Sequence, residues 1–443
     1  MKAAGPALVV DAGDLMWKSK TLDASRIAQQ RVKGRLQLEA MSQGGIDAMV
    51  LGDADLTLGL EWIGQQMRDL DLPYVATNMV CEGVPMPAYR RVSVGDLEVG
   101  VLGVMGREQA GACTFKAVVP AISQALDGLG EVDLVVVLSH QDSGAERDMA
   151  AAVPEIDVII NGHSKKSTPT PISLGETAVQ LGAGSRGKKL GVATLQIEKG
   201  ARGFQVDGRL KDLERKLDRA AERLAKTQDQ LKRAKDDKTV TRLEGRLRRI
   251  ERQAAEARSA LSDAADASAG PRHRIANTLR PLSEKVADDE TIEAMVQASK
   301  PMISAAAQLV APSGTQAVNA GPFAGSAACE GCHADEHKQW KTTPHASAWS
   351  TLVRQGRERD LDCWSCHVTG AHHPLGPQHP SQVSGLEDVG CESCHGPGQS
   401  HVAAPSKGNI RRDPAVEVCT DCHDGVKDEG RFDFAKYRPQ VLH

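Results

Sequence analysis

Aromatic side chains are nearly missing from this 443-residue chain: five Trp, three Tyr and five Phe, 3% in all. Such a chain cannot build its cores mainly from flat, bulky side chains. No apolar run reaches the roughly eighteen residues of a membrane-crossing helix, so a transmembrane segment is excluded. Neither sign of charge prevails. The chain carries 54 basic and 58 acidic side chains, a formal net charge of −4, without the basic excess of a nucleic-acid binder. The start has little of a signal peptide, since only Ala7-Leu8-Val9-Val10 precedes Asp11 as an apolar run. Apolar residues at 40% and charged ones at 25% nevertheless suffice for buried cores, and the length suits several domains.

Cysteine and histidine are present but unevenly placed. Eight of ten Cys and eleven of fourteen His lie from Cys329 onward. The eight Cys form four copies of one pattern: Cys329-x-x-Cys332-His333, Cys363-x-x-Cys366-His367, Cys391-x-x-Cys394-His395 and Cys419-x-x-Cys422-His423. This is the c-type haem attachment spacing, in which two thiols bond the vinyl groups and the adjoining imidazole becomes the proximal iron ligand. Zinc sites built from Cys-x-x-Cys halves would not require His after every second Cys. Seven further histidines, His337, His345, His372, His373, His379, His401 and His443, can supply sixth ligands. Residues 326–443 give roughly thirty residues per haem, too few for an ordinary side-chain core, so folding and haem attachment are expected to be one process. Four haems in so short a segment lie close together, the geometry of an electron wire.

The stretch around Cys329, with Gln339-Trp340-Lys341 and Thr343-Pro344-His345-Ala346, the run Asp362–Gly370, the block Gly390–Gly398 and the closing Cys419-x-x-Cys422-His423 resemble the tetrahaem cytochrome c that accepts electrons from hydroxylamine oxidoreductase. The resemblance implies three bis-His haems and one five-coordinate haem, with His345, His401 and His443 as the distal ligands. His372, His373 or His379 could close the fourth iron. An open iron could reduce a small nitrogen oxide, whereas a closed one only passes electrons.

The first two hundred residues alternate apolar runs with amphipathic segments, as in a layered α/β domain. Strands are expected at Ala7–Val10, Ala48–Leu51, Val99–Val104, Val132–Leu138, Val158–Ile160, Ala178–Leu181 and Gly191–Ile197, and helices at Ser25–Ser42, Asp55–Asp69, Pro120–Leu129 and Ala145–Val153. Asp11, Asp14, Asp53, Asp55, His140, Asn161 and His163 follow directly on the buried runs, at the rim where open α/β sheets bind ligands. Asp55, and Asp11 beside it, also read as helix caps. This half resembles the two-metal phosphoesterases of the 5′-nucleotidase family through Asp11-Ala12-Gly13-Asp14, Leu138-Ser139-His140, Gly162-His163 and Gln180–Gly191. The family's opening Asp-x-His pair is missing. Ala54 stands for its catalytic His, Asp53 for a metal-binding Asn, and Lys165 for the second His of Gly-His-x-His. The resemblance implies that one ion loses its ligands while Asp14, Asp53, His140 and His163 can hold the other, a single Zn, Mn or Fe. Lys165 is expected to put its cation where the missing metal would be. Cys81 and Cys113 read as buried free thiols.

Leu210, Leu213, Leu217, Ala220, Leu224, Thr227, Leu231 and Ala234 recur in steps of three and four, as do Val240, Leu243, Leu247, Ile250, Ala254, Ala257 and Leu261. These are a and d positions of two heptad strings, with a break at Lys235–Thr239, and they predict an antiparallel coiled-coil hairpin. Self-association through the same stripe is the rival. Ser268–Arg272 reads as a break, Pro281–Ala298 as a helix and Ala311–Ser326 as a Gly/Pro/Ala-rich linker.

The expected fold class is multidomain: an α/β layered metallophosphoesterase-like domain over 1–209, a coiled-coil helical hairpin over 210–265, a helix and linker over 266–325, and a small, mostly α or irregular tetrahaem cytochrome c domain over 326–443. The last segment holds 12 basic and 16 acidic side chains, which with haem propionates favours a basic redox partner protein. Covalent haem attachment implies a periplasmic or other extracytoplasmic location, and the start is expected to be truncated. The expected function is electron transfer through four c-type haems. The alternatives are a metal-dependent phosphatase or nucleotidase with an attached cytochrome, and a nitrogen-oxide reductase at a five-coordinate haem.

Overall fold

The computed structural model describes residues 5–106, 113–206, 209–233, 236–266, 272–283, 285–309, 321–425, 428 and 430–442. The chain forms two compact units, Met1–Thr21 with Leu38–Ala287, and Leu22–Gln37 with Asp288–His443. Among the described residues no helix is long and apolar enough to cross a membrane.

In chain order the elements begin β1 (Val10–Asp11), α1 (Ala24–Gln43), β2 (Ala48–Met49), α2 (Leu60–Asp69), β3 (Met79–Cys81), β4 (Tyr89–Val94), β5 (Leu97–Met105), β6 (Cys113–Phe115) and α3 (Val118–Leu129). There follow β7 (Leu134–His140), α4 (Ser143–Ala152), β8 (Val158–Asn161), β9 (Ile172–Leu174), β10 (Ala178–Leu181), β11 (Lys189–Gln196), β12 (Phe204–Val206), the long helices α5 (Arg209–Arg233) and α6 (Asp237–Asp266), and β13 (His273–Pro281).

A six-stranded sheet in the order β4-β5-β7-β8-β10-β9 is the centre of the first unit. Its four inner strands are parallel and its two edges antiparallel. Every residue of β7 is buried, because its side chains alternate between two cores. Val136 and Leu138 pack with Val50, Val75, Phe204 and Ile275, while Val135 and Val137 pack with Ile122 of α3 and Met149 of α4. Strands lie on one face of the sheet and helices on the other.

Three expectations are corrected here. Residues 273–281, expected to belong to the helix-and-linker region over 266–325 and given no strand, form β13, which pairs antiparallel with β11 and parallel with β12. The physical reason is alternation: His273 and Ile275 are buried and Arg274 between them is exposed, so the segment has a core face. The first unit therefore resumes after the two long helices. Cys81 and Cys113 are not free thiols but a disulfide across the antiparallel β3–β6 pair, which places them opposite each other. The helix expected to fill a connection of the first domain is shared, since α1 up to Gln37 belongs to the second unit.

Helices α5 and α6 pack on each other. Leu213, Thr227, Leu243, Ile250, Ala254 and Ala257 from the expected stripe are buried.

In the second unit α7 (Glu290–Gln308) is capped by Asp289, which accepts from the Thr291 and Ile292 N–H groups. It starts later than the helix expected at Pro281. Residues 311–320 of the expected linker lie outside the described residues. Six short helices follow: α8 (Ala334–Lys341), α9 (Ala348–Gln355), α10 (Cys391–His395), α11 (Gln399–Ala403), α12 (Val416–Thr420) and α13 (Phe434–Tyr437). Its apolar cluster is small: Ala307, Leu352, Leu361, Trp364, Val368 and Val383. Polar bonds from α1 reinforce it. Gln29 bonds the Ile303 and Arg359 carbonyls and the Leu361 N–H, and Lys33 pairs with Asp360 and Asp362.

Candidate functional site

The four residues singled out in the first unit gather around one atom, His140 Nε2. Asp14 follows β1, Asp53 follows β2, His140 ends β7 and His163 follows β8, all at the carboxyl ends of parallel strands. His140 donates from Nδ1 to the Ala12 carbonyl at 2.9 Å, which fixes its ring and turns Nε2 towards the other three. Nε2 stands 3.4 Å from Asp14 Oδ2, 3.4 Å from Asp53 Oδ1 and 3.3 Å from His163 Nδ1. Ligands about 2.0 Å from one ion at tetrahedral angles are about 3.3 Å apart, so these separations suit a single ion. Asp53, His140 and His163 alone form a group able to hold a metal.

The loops that carry these groups touch backbone to backbone. A side chain on Gly52 would meet Asp14 Oδ1 at 2.1 Å, and one on Gly162 would meet the Ala12 carbonyl at 2.0 Å. Asp55 accepts N–H bonds from Asp14, Met16 and Gly52, joining the first and second loops. Burial pushes Asp55 up to about 7 and Asp11 up to about 6, so both act as structural carboxyls. Burial alone would depress His140, but hydrogen bonds to Asp14 and Asp53 outweigh it and push the imidazole up to about 10. Asp53 is held well below the usual carboxylate range, first by its bond to His140 and then by Lys20. Two carboxylates that hold a proton on His140 also suit a divalent cation.

Ala54, in place of a catalytic His, is buried and offers only its N–H, which Asp14 Oδ1 accepts at 2.9 Å. The cation against Asp53 is Lys20 at 2.8 Å. Lys165, expected to put a cation at the lost metal's place, is exposed. Sequence reasoning missed Lys20 because the turn after Asp14 has no periodic signal. It also missed buried Glu146, which accepts from Asn161 and Gln180 and so anchors the end of β8 from which His163 projects.

In the second unit three of the four Cys-x-x-Cys-His segments are tight turns, and the third is the short helix α10. The Cys332, Cys366 and Cys422 N–H groups bond the carbonyls of the first Cys of their motifs, and the N–H groups of His333 and His423 do likewise. All eight Cys are free thiols. Thiols of different motifs lie near each other: Cys329 and Cys391 are close enough to shift each other's acidity, and Cys366 and Cys422 gather around His372, whose Nε2 is 3.9 Å from Cys366 Sγ and 3.7 Å from Cys422 Sγ.

Two histidine pairs face each other. His333 and His401 have ring centroids 6.4 Å apart at 28°, and His345 and His423 are also 6.4 Å apart. With a metal–nitrogen bond of about 2.0 Å and about 1.1 Å from nitrogen to ring centre, imidazoles on opposite sides of one ion have centroids about 6.2 Å apart. Other rings are fixed through Nδ1, His367 on the Ala348 carbonyl, His395 on the Arg411 carbonyl and His401 on Asn409 Oδ1. Such bonds orient a ligand and leave Nε2 available. His379 bonds Ser381 and the Ala307 carbonyl with its two nitrogens, whereas His373 accepts from the Leu375 N–H at Nδ1 alone. Buried His337 faces Glu330 and lies against Trp340. His443 lies outside the described residues. Among the described residues, no imidazole pairs with His367 as the other two pairs do. Sequence reading also passed over Glu392, inside the third motif. It is buried and accepts N–H bonds from Ala324, Gly325 and Gly398, tying the first motif's entry to the turn after the third.

Comparison with known proteins separates the same two regions. The family model of cytochrome c554 and c-prime matches residues 328–396, a span that holds the first three motifs. The 5′-nucleotidases of Bos taurus and Rattus norvegicus are 26% identical over 149 residues and 27% over 148, each covering 30% of this chain and 26% of the relative. The chain thus spans about a quarter of the length of these relatives. Similar solved structures include the sulfate thiohydrolase SoxB of Thermus thermophilus, at 24% identity and a TM-score of 0.39 over 46% of this chain and 38% of that one. Another is the calcineurin-like phosphoesterase YfkN of Bacillus subtilis, at 16% identity and 0.42 over 69% and 85%. The N-terminal half is similar to the 5′-nucleotidase and calcineurin-like phosphoesterase family, and the C-terminal part to cytochrome c554.

Proposed function

We propose that this protein is an extracytoplasmic multihaem cytochrome that carries electrons and is joined to a metallophosphoesterase-like domain holding one divalent ion. The observation that carries this reading is the combination of four Cys-x-x-Cys-His segments with two imidazole pairs at the spacing of opposed axial ligands. Attached haem supplies a one-electron couple whose potential follows its axial ligands. The chain would hold four such groups through Cys329 and Cys332, Cys363 and Cys366, Cys391 and Cys394, and Cys419 and Cys422. His333, His367, His395 and His423 are the proximal ligands, with His401 opposite His333 and His345 opposite His423. His443 is assigned to a third distal position from the resemblance alone. His367 then faces an open side.

The inter-motif thiol contacts support close neighbours in two pairs, the first with the third motif and the second with the fourth. Electrons then pass along the group, and a basic redox partner suits the acidic segment. The Cys81–Cys113 disulfide supports an oxidising compartment, where such haems are attached. The two long helices form a coiled-coil arm whose stripe is buried against its own partner helix.

In the first unit, Asp14, Asp53, His140 and His163 hold the ion. Two-metal hydrolysis needs a second ion to clamp the leaving and attacking oxygens, and Ala54 offers no imidazole. The unit is therefore read as a one-metal site rather than a two-metal nucleotidase. A pyridine haemochrome assay on protein matured in a c-type-competent host, with elemental analysis of the same sample, is expected to give four haems and one divalent ion. Colourless protein with alkylatable thiols would overturn the first half. Metal content unchanged by His140→Ala would overturn the second.

A further inference from the structure

The positive charge of the helical hairpin is gathered at its connected end. Residues 230–253 hold nine basic side chains against four acidic, whereas the rest of the hairpin, 210–229 with 254–266, holds seven against eight. Between α5 and α6 at that end lies a groove of about 1030 Å³ whose lining includes Arg233, Arg242, Arg246 and Arg249, and a smaller recess beside it adds Arg223. Asp236 is the only acid among the described residues that line either. All five arginines are exposed. Arg233 pairs with Asp229 at 2.9 Å, and the side chains of Arg223, Arg246 and Arg249 have no hydrogen-bond or ion-pair partner among the described residues. Arg242, Arg246 and Arg249 share one face of α6 and span about 10 Å at about 1.5 Å per residue. Gly245 lies among them. A glycine inside a helix weakens it, and here a Cβ would meet nothing within 4 Å, so packing within the chain does not call for a glycine. It leaves the groove floor open to an incoming group.

The same chain carries a complementary surface. Residues 413–433, around the fourth Cys-x-x-Cys-His segment, hold seven acidic side chains against two basic, and Asp413, Glu417, Asp421, Asp424 and Asp433 are exposed. The propionates of an attached haem add to that charge. We propose that the arginine groove takes the acidic 413–433 surface of a second copy of this chain, with carboxylates meeting guanidinium groups across the contact. A lipid surface suits the groove less well, because Asp236 and Asp237 stand at the connection and no large apolar side chain of 230–253 is exposed among the described residues. Groove and acidic surface are different patches, so the contact is heterologous and copies join head to tail. The haem segment thereby meets the basic surface that its acidity favours. The inference rests on the cytochrome reading above, since it takes residues 413–433 as part of a folded, haem-loaded segment.

The test is sedimentation velocity of the full, haem-loaded chain, followed at the haem absorption. At about 20 mM salt, where charges are felt over about 20 Å, the weight-average mass is expected to be at least about twice that of one chain, and at about 300 mM, where that range falls below about 6 Å, to return to one chain. The arm variant, Arg242→Glu with Arg246→Glu and Arg249→Glu, and the surface variant, Asp413→Lys with Glu417→Lys, are each expected to stay single at low salt. An equimolar mixture of the two sets unlike charges against each other again and should regain at least about twice the single-chain mass. Loss of fold in either variant would not give this recovery. A single-chain mass for the coloured parent at low salt, or a mixture no heavier than its parts, overturns the proposal and leaves the haem reading standing. Association that strengthens with salt marks apolar arm-to-arm pairing instead and also overturns it. Protein that takes up no haem in a competent host overturns the cytochrome reading, and this inference with it.

Discussion

The two units solve the burial problem differently. Two apolar clusters of the first unit hold fifteen and thirteen buried residues, whereas the second unit's cluster holds six. The first unit wraps a fully buried parallel strand between helices and a second set of strands, and side chains alone suffice. The second, beyond α7 and its part of α1, has only short helices among the described residues, one Trp and one Leu pair at its centre, and too little apolar surface to offset the ordering of its chain. What orders it beyond that cluster is a lattice of polar bonds, Glu392 to three N–H groups and Gln29 and Lys33 to the Arg359–Asp362 turn. On the reading given above, the macrocycles supply the missing apolar surface.

The contrast breaks most sharply in a host unable to attach haem. Residues 326–443 should then be lost to limited proteolysis while the first unit resists, and equal resistance of both would show the second to be self-sufficient. Next in size is Gly52→Ala, whose new methyl runs into Asp14. It should cost the first unit about 3 kcal/mol, read as a lowered thermal midpoint of that unit only, together with lost metal uptake.

A smaller effect probes the second unit's polar lattice. Burial alone would raise Asp360, but Lys33 and Arg357 outweigh it and hold the carboxyl at about 2 against an ordinary 3.8. A depressed folded value means stability that is complete above pH 3.8 and lost as pH falls towards 2, worth about 2 kcal/mol. Lys33→Ala should remove much of it and shift acid unfolding of the second unit to higher pH, followed by circular dichroism. Smallest of all, Arg248→Ala breaks an exposed pair with Glu244 at 4.0 Å on α6 and should change stability by less than about 0.5 kcal/mol. A larger loss would mean that the arm contributes to the first unit's fold beyond its own seam.

Legibility followed the same division. Strand β7 could be read from five consecutive apolar residues, and Asp14, Asp53, His140 and His163 from their place just after such runs, because a buried strand and its rim leave a local trace. Strand β13 left little, since Arg274, Asn277, Thr278 and Arg280 interrupt its apolar residues and its partners are more than sixty residues away in sequence. Separation along the chain also hid the Cys81–Cys113 bond, whose partners are 32 residues apart, and the membership of α1. Lys20, Glu146 and Glu392 were silent for another reason. Each acts through a single bond or a small set of bonds set by tertiary structure, and no spacing rule marks a residue of that kind.

The pairing of β12 with β13 carries one more consequence. Phe204 lies beside His273 and Val206 beside Ile275, so the chain leaves the sheet and re-enters it at nearly the same spot. Everything between is an excursion with adjacent ends. Because the two strands run parallel, the chain must come back along the ladder before it re-enters, which takes a crossover of about a dozen residues. Beyond that its length is unconstrained by the sheet, and a glycine- and serine-rich crossover of about that length should replace the whole detour without disturbing the strands on either side.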